Sequence, residues 1–152
     1  MTHEEKLEWS ADARGLKFAI VVARFHPAIT EKLLAGAQEA LQKAGASAVS
    51  VFHVPGTFEL PLAAKRLVDS YDGIVALGAV VRGETPHFDF VAEAASHGLL
   101  QVGLESGKPV AFGVLTTDSY QQALERAGGS HGNKGYDAAM TAIEMARFGQ
   151  VS

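Results

Sequence analysis

The residues best suited to chemistry gather in two short glycine-bearing loops, Val54-Pro55-Gly56-Thr57-Phe58-Glu59 and Val81-Arg82-Gly83-Glu84-Thr85-Pro86-His87. Each follows a β-branched run and opens a helical pattern. A strand that ends in glycine and leads into a helix leaves backbone N–H groups available to an anion. In an open α/β sheet, ligands bind at the carboxyl ends of the strands. The two loops thus put an aromatic ring, a carboxylate, a histidine and an anion seat along one sheet edge. That combination points to an enzyme acting on small molecules.

Thr85-Pro86 reads as N-cap then first helical residue, a common helix start in itself. The preceding Gly83 adds to this, because glycine lets backbone approach a ligand closely. A phosphate there gains about 0.3–1 kcal/mol from the helix dipole and roughly 1.5–3 kcal/mol from an arginine partner. His87 falls in the first turn, a residue type that takes or gives protons near neutral pH. Phe25 ends an apolar run just before a helix. Core packing is the commoner fate of a Phe, but at a strand's carboxyl end it is placed to stack on a flat ring. Glu59, often only a dipole-compensating first-turn residue, could accept hydrogen bonds from polyol hydroxyls beside a pocket. His97, four residues after Glu93, reads as half of a helix-surface pair. His3, His26, His53 and His131 have no zincin spacing, so no metal site is expected.

Several nucleotide and hydrolase motifs are missing. Gly103-Leu104-Glu105-Ser106-Gly107-Lys108 is one residue short of a Walker loop, and Pro109 stands where Ser or Thr belongs. No G-x-G-x-x-G follows the first strand, which argues against nicotinamide binding. Gly129-Ser130-His131-Gly132 has no strand before it and is no nucleophile elbow.

The elements that must hold these loops follow from periodicity. Leu16 to Ala23, Ala48 to Val54, Gly73 to Val81 and Pro109 to Leu115 are strand-like, the first and third nearly continuous in apolar residues, as in strands buried on both faces. Helical patterns start at Pro27, ending at Gly45, and run over Thr57–Asp69, Pro86–Leu104, Asp118–Ala127 and Lys134–Phe148. Pro61 is tolerated because it falls in a first turn. The order β-α-β-α-β-α-β-α-α implies a parallel sheet with helices on both faces. The helix from Pro86 is apolar on more than one side, which predicts a subunit contact.

Length and composition set bounds. The chain has 152 residues, 47% of them apolar, and a formal charge of -4 without any block of like charge. A single domain with a sizeable core is expected, and non-specific nucleic-acid binding has no electrostatic footprint. There is no cysteine, which removes disulfides, thiolate nucleophiles and Cys-based zinc sites and suits a reducing cytoplasm. Met1 to Arg14 is polar without an apolar signal region, and no apolar run has the length of a membrane span.

Five segments, in order, carry a resemblance: Ala23-Arg24-Phe25, VPGTFELP at 54–61, ALGAVVRGETPHFDFV at 76–91, AFGVLTT at 111–117 and ERAGGSHGNKG at 125–135. Together they resemble the 6,7-dimethyl-8-ribityllumazine synthase family, over about Leu16 to Arg147. The resemblance implies a flavodoxin-like three-layer α/β/α sandwich with a four-stranded parallel sheet. It divides the chain into an N-terminal segment, 1–15, and a synthase domain, 16–152. The N-terminal segment is expected to add a strand to a neighbouring subunit. It implies condensation of 5-amino-6-(D-ribitylamino)uracil with 3,4-dihydroxy-2-butanone 4-phosphate, releasing phosphate and water, the penultimate step of riboflavin biosynthesis. No metal or organic cofactor is implied. The expected assembly is a homopentamer with active sites between subunits, and a shell of twelve pentamers over the free pentamer. Riboflavin synthase is a candidate partner, and a cytoplasmic location is expected, with no nucleic-acid or membrane partner.

The same resemblance assigns roles. Phe25 would stack on the pyrimidine. Thr57, Phe58 and Glu59 would hold that substrate, Glu59 through the ribityl hydroxyls, and Val80 and Val81 would meet the uracil edge with backbone groups. Gly83, Glu84 and Thr85 would seat the phosphate, with Arg126 as its cation. His87 would shuttle protons. Phe112 and Lys134 would come from the adjacent subunit. His26 stands where the family often has Asn, Pro86 where Thr or Ala is commoner, and Ser130 where shell-forming members often carry Lys. The competing readings are an archaeal-type riboflavin synthase, against which the GETPH seat and Arg126 argue, and a flavin- or lumazine-binding carrier or cage, which would need neither His87 nor Arg126.

Overall fold

Four parallel strands form the central sheet of the computed structural model, which describes residues 11–149. They are β1 (Lys17–Ala23), β2 (Ala48–Val54), β3 (Gly73–Val81) and β4 (Val110–Thr117), in the spatial order β2-β1-β3-β4. The registers are in phase, with Lys17 opposite Ala48, Phe18 opposite Gly73 and Val81 opposite Thr117. The strand order is that of a doubly wound, flavodoxin-like sheet, which reverses direction between β1 and β3.

The helices are α1 (Pro27–Lys43), α2 (Leu60–Leu67), α3 (His87–Ser106), α4 (Tyr120–Glu125) and α5 (Lys134–Arg147). Strand alternation sorts the core into two layers. Phe18, Ile20 and Val22 of β1, with Val75 and Leu77 of β3, pack against Ile29, Leu33 and Leu41 of α1 and Ile143 of α5. Ala19, Val21, Ile74 and Ala76 face the other way, onto Leu60 of α2 and Phe88 and Leu99 of α3. Each large side chain fully buried this way contributes about 1.5–3 kcal/mol. The helices α1 and α5 meet closely: a Cβ on Gly135 would lie 2.7 Å from the Leu33 carbonyl carbon and 2.9 Å from its Cα. Only a residue without a side chain lets the first turn of α5 rest on the backbone of α1.

Several boundaries differ from the sequence reading. The expected helix over Thr57–Asp69 is a helix between two 3-10 turns, Thr57–Glu59 and Val68–Ser70, with Pro61 in the first turn of α2 as expected. α3 begins at His87 with Pro86 as its N-cap, one residue later than expected. Thr85 Oγ1 still accepts a long bond from the His87 N–H, 3.4 Å. The stretch between the last two helices is a hairpin of β5 (Ala127–Gly129) and β6 (Gly132–Asn133). Helix α4 is correspondingly shorter and starts with a capping box between Ser119 and Gln122.

The expected N-terminal strand falls mainly outside the described residues. Within them, Ala13 is fully buried, its N–H bonds the Ala44 carbonyl at 2.9 Å, and Arg14 bridges Ala46. Arg147 donates to the carbonyls of Asp12 and Arg14. The hydrogen bond from the Arg14 guanidinium holds the Asp12 carboxyl well below the usual carboxylate range. Among the described residues, no helix is long and apolar enough to cross a membrane.

Candidate active site

The carboxyl ends of β1, β2 and β3 open into a cleft of about 610 Å³, within the range of small-molecule pockets. β1 runs to the fully buried Ala23, and the Arg24 N–H extends its ladder to the Val54 carbonyl at 2.9 Å. The next residue, Phe25, leaves the core and is 67% exposed. Its ring therefore faces the cleft, and the commoner fate of a Phe, core packing, does not apply. His26 then turns the chain into α1 with φ 60°. This left-handed conformation is one that Asn and His adopt more readily than most residues, so His26 fits the turn physically as an Asn would.

The turn after β2 contributes the opposite wall. Thr57 is buried, whereas the Phe58 ring is 59% exposed. Gly56 sits beneath the Phe25 ring and the Glu59 carboxylate: a Cβ there would lie 2.9 Å from Phe25 Cδ2 and 3.2 Å from Glu59 Oε1. The missing side chain lets ring and carboxylate meet over one spot. Val80 and Val81 of β3 form the floor, and His87 and Phe90 of α3 close the side. Three exposed rings, a carboxylate and an imidazole thus surround an apolar cavity, an arrangement suited to a flat heterocycle bearing hydroxyls and to proton transfer at its edge.

Gly83, Glu84 and Thr85 are exposed beside this cleft. Among the described residues their N–H groups donate to no acceptor, so they remain available to a ligand, as an anion seat requires. A Cβ on Gly83 would meet nothing within 4 Å. Among the described residues, nothing calls for glycine there.

Arg126 and Lys134 are not in that cleft. They line a second one of about 440 Å³ at the end of β4, with Thr117, His131 and Asp137. The Lys134 N–H bonds the Arg126 carbonyl at 2.9 Å, so the β5–β6 hairpin carries both cations as one unit. Asn133 anchors that unit: its Oδ1 caps α5 through Tyr136 N–H at 3.0 Å, and its Nδ2 donates to the Lys32 carbonyl of α1 at 3.0 Å. Arg126 also donates to the Gln122 carbonyl at 3.0 Å. The Gly83–Thr85 loop runs between the clefts, because Arg82 N–H bonds the Thr117 carbonyl at 2.9 Å while His87 lines the first cleft. Phe112 lines neither. It lies on the edge strand β4, half-buried against the α2–α3 layer.

Sequence reasoning named no role for Phe90, which is 68% exposed over the first cleft. Its signal was present: it lies three residues after His87 and shares its helix face. Gly56 is a second such residue, its signal being the glycine that ends the β2 connection ahead of Glu59.

A family model for 6,7-dimethyl-8-ribityllumazine synthase matches residues 15–150. The chain belongs to the lumazine synthase family. Proteins of that name from two strains of Nitratidesulfovibrio vulgaris, DP4 and Hildenborough, are each 52% identical to it over 151 residues, 97% of this chain and 97% of the relative. Identity at that level and coverage leaves the lumazine synthase fold as the frame for every residue above.

Proposed function

We propose that the cleft around Phe25, Phe58, Glu59 and His87 is where this chain carries out the reaction of its family. As a lumazine synthase, it is a transferase of riboflavin biosynthesis that forms 6,7-dimethyl-8-ribityllumazine. The substrates are 5-amino-6-(D-ribitylamino)uracil and 3,4-dihydroxy-2-butanone 4-phosphate. The observation that carries the site is the convergence of exposed aromatic rings with Glu59 and His87 beside unbonded amides.

The pyrimidine lies against Phe25, its uracil edge toward the backbone of Val80 and Val81, its ribityl chain toward Glu59, with Thr57 and Phe58 completing the wall. The phosphate sits on the amides of Gly83, Glu84 and Thr85. The 5-amino group attacks the ketone, and loss of water gives the imine. Elimination of phosphate follows, and ring closure by the ribityl-bearing nitrogen releases a second water. His87 takes and returns the protons of these steps. Holding the two reactants together removes up to ~7–11 kcal/mol of barrier. Proximity dominates in this reading, because the amine is already nucleophilic and phosphate is a good leaving group.

Arg126 and Lys134 travel together on their hairpin. If Lys134 reaches the site from an adjacent subunit, Arg126 comes with it, and each complete site needs the first cleft of one copy and the second cleft of the next. Phe112, on the edge strand, belongs to the same contribution. The exposed Phe90, Leu100 and Leu104 on α3 support an oligomer with a large apolar contact. The reading extends to a pentamer and, because the hairpin keeps the short form of shell-forming members, to a shell of twelve pentamers. Riboflavin synthase is the candidate partner. A cytoplasmic location suits a chain without cysteine.

The test mixes the purified protein with both substrates and follows lumazine fluorescence. Saturable product formation above background is expected. No turnover, with tight lumazine or flavin binding, would replace this reading with a carrier or cage. Arg126→Ala and Phe25→Ala chains, each impaired alone, should regain activity when co-assembled, since some interfaces then join two intact clefts. No recovery refutes the shared site.

A further inference from the structure

Arg82 is the first residue after β3 and makes four contacts that bracket the Gly83–His87 loop. Its N–H bonds the Thr117 carbonyl at 2.9 Å. Its Nε donates to Asp118 Oδ1 at 2.8 Å. Its Nη1 lies 3.8 Å from Asp89 Oδ1, in the first turn of α3. The guanidinium carbon stands 4.3 Å from the centroid of the Phe88 ring, and Phe88 is itself buried in the α2–α3 layer. One side chain therefore joins the residue that enters the loop to the two residues that follow His87, and ties both to the β4–α4 connection. Within the loop, the described hydrogen bonding amounts to the long Thr85–His87 contact, and the Pro86 carbonyl accepts from the Asp89 and Phe90 N–H groups of α3.

An arginine this close to an anion seat has an obvious alternative use, direct contact with phosphate. Its surroundings argue otherwise. Two carboxylates face the guanidinium, and its flat surface is committed to Phe88. A planar fork with several donors suits such a staple better than a single ammonium point charge.

We propose that Arg82 is a positioning residue: it staples the Gly83–His87 loop so that its amides and the His87 imidazole are held in register for the reaction. The inference rests on the assignment of that loop as the phosphate seat. The contacts are partly exposed, so each is modest, and together they predict an effect of about three- to tenfold.

The experiment compares Arg82→Ala and Asp118→Asn with the native enzyme, by KM for each substrate and by hydrogen exchange of the bonded amides that close the loop, His87 N–H on Thr85 Oγ1 and Asp89 and Phe90 N–H on the Pro86 carbonyl. Arg82→Ala should speed exchange of these closing amides about three- to tenfold and raise KM for the butanone phosphate by a similar factor. KM for the pyrimidine should stay within about twofold, and kcat should fall less than KM rises. Asp118→Asn should act in the same direction more weakly. Unchanged loop exchange in Arg82→Ala overturns the staple. A lower KM for the phosphorylated substrate in Asp118→Asn also overturns it, because a freed guanidinium would then be binding phosphate directly. Faster exchange with unchanged KM upholds the staple and refutes the phosphate seat instead. Should Arg82→Ala fail to fold, Asp118→Asn gives both readouts alone.

Discussion

Replacing Gly56 with alanine should weaken pyrimidine binding while leaving the fold nearly as stable as before. Gly56 has φ -153° and ψ -179°, extended backbone that any residue adopts, so no conformational strain enters. The added methyl meets Phe25 Cδ2 at 2.9 Å, Phe25 Cε2 at 3.1 Å and Glu59 Oε1 at 3.2 Å, against ordinary contact from 3.4 Å. The ring must retreat by about half an ångström, and the carboxylate must turn. Phe25 is exposed and can move, at a cost of about 0.5–1.5 kcal/mol if it leaves its rotamer. The smaller unfolded-state entropy of alanine offsets about 0.4–1 kcal/mol of that. The substrate has no such compensation. A stacked ring contact contributes about 0.5–1.5 kcal/mol, and a hydrogen bond to a carboxylate about 1.5–3 kcal/mol. Partial loss of both amounts to about 1–2 kcal/mol, or roughly a five- to thirtyfold rise in pyrimidine KM. Steady-state kinetics at saturating butanone phosphate would measure it, with a thermal melt on the same sample. A pyrimidine KM within twofold of native, whatever the melt shows, would refute the pairing of Phe25 and Glu59 around that substrate.

Gly135→Ala should behave in the opposite way. Its Cβ meets backbone of Leu33 that cannot swing aside, so overpacking of about 1–3 kcal/mol is expected in denaturant unfolding; a loss below about 0.5 kcal/mol would mean that α5 can back away from α1. His87→Ala should lower kcat by no more than ~10²-fold, the low end for acid–base help, with both KM values retained. A far larger loss in kcat would show that proton transfer, not proximity, governs the rate. Arg126→Ala should raise KM for the butanone phosphate by about tenfold or more, the worth of a charged hydrogen bond, and change pyrimidine KM little; an unchanged KM for the phosphorylated substrate would remove Arg126 from the phosphate site.

The strands were legible because β1 and β3 are buried on both faces and so lack the polar alternation that blurs a boundary; the expected Gly73–Val81 is the observed one. The end of α1 was equally plain, since Gly45 takes φ 83°, which few residues but glycine adopt. The β5–β6 hairpin was not legible. Its strands are three and two residues long, too short for any apolar period, and backbone bonds rather than side chains define them. The cleft residues on the connections that leave the strands, Phe25, Glu59 and His87, could be read because strand direction fixes where those connections emerge. The separation of Arg126 and Lys134 from them could not. It depends on the register of β3 with β4 and on the hairpin, and no local pattern records either. Thr85 and Pro86 show the scale of error at a helix start: the cap moved by one residue although the Thr85 hydroxyl kept its bond.

The tie between Arg147 and the carbonyls of Asp12 and Arg14 bears on how this chain can be handled. Asp12 and Arg14 precede β1 and lie at the amino edge of the sheet, beside Ala44 and Ala46. α5 runs from Lys134 at the second cleft back to Arg147 at that same edge. Asp12 and Arg147 therefore lie at one corner, opposite both clefts. A fluorophore attached at either of these two positions sits on the reverse side from the substrates. Joining these two points with a short linker and cutting the chain at the exposed Gly107, between α3 and β4, would give a circular permutant in which both clefts keep their walls.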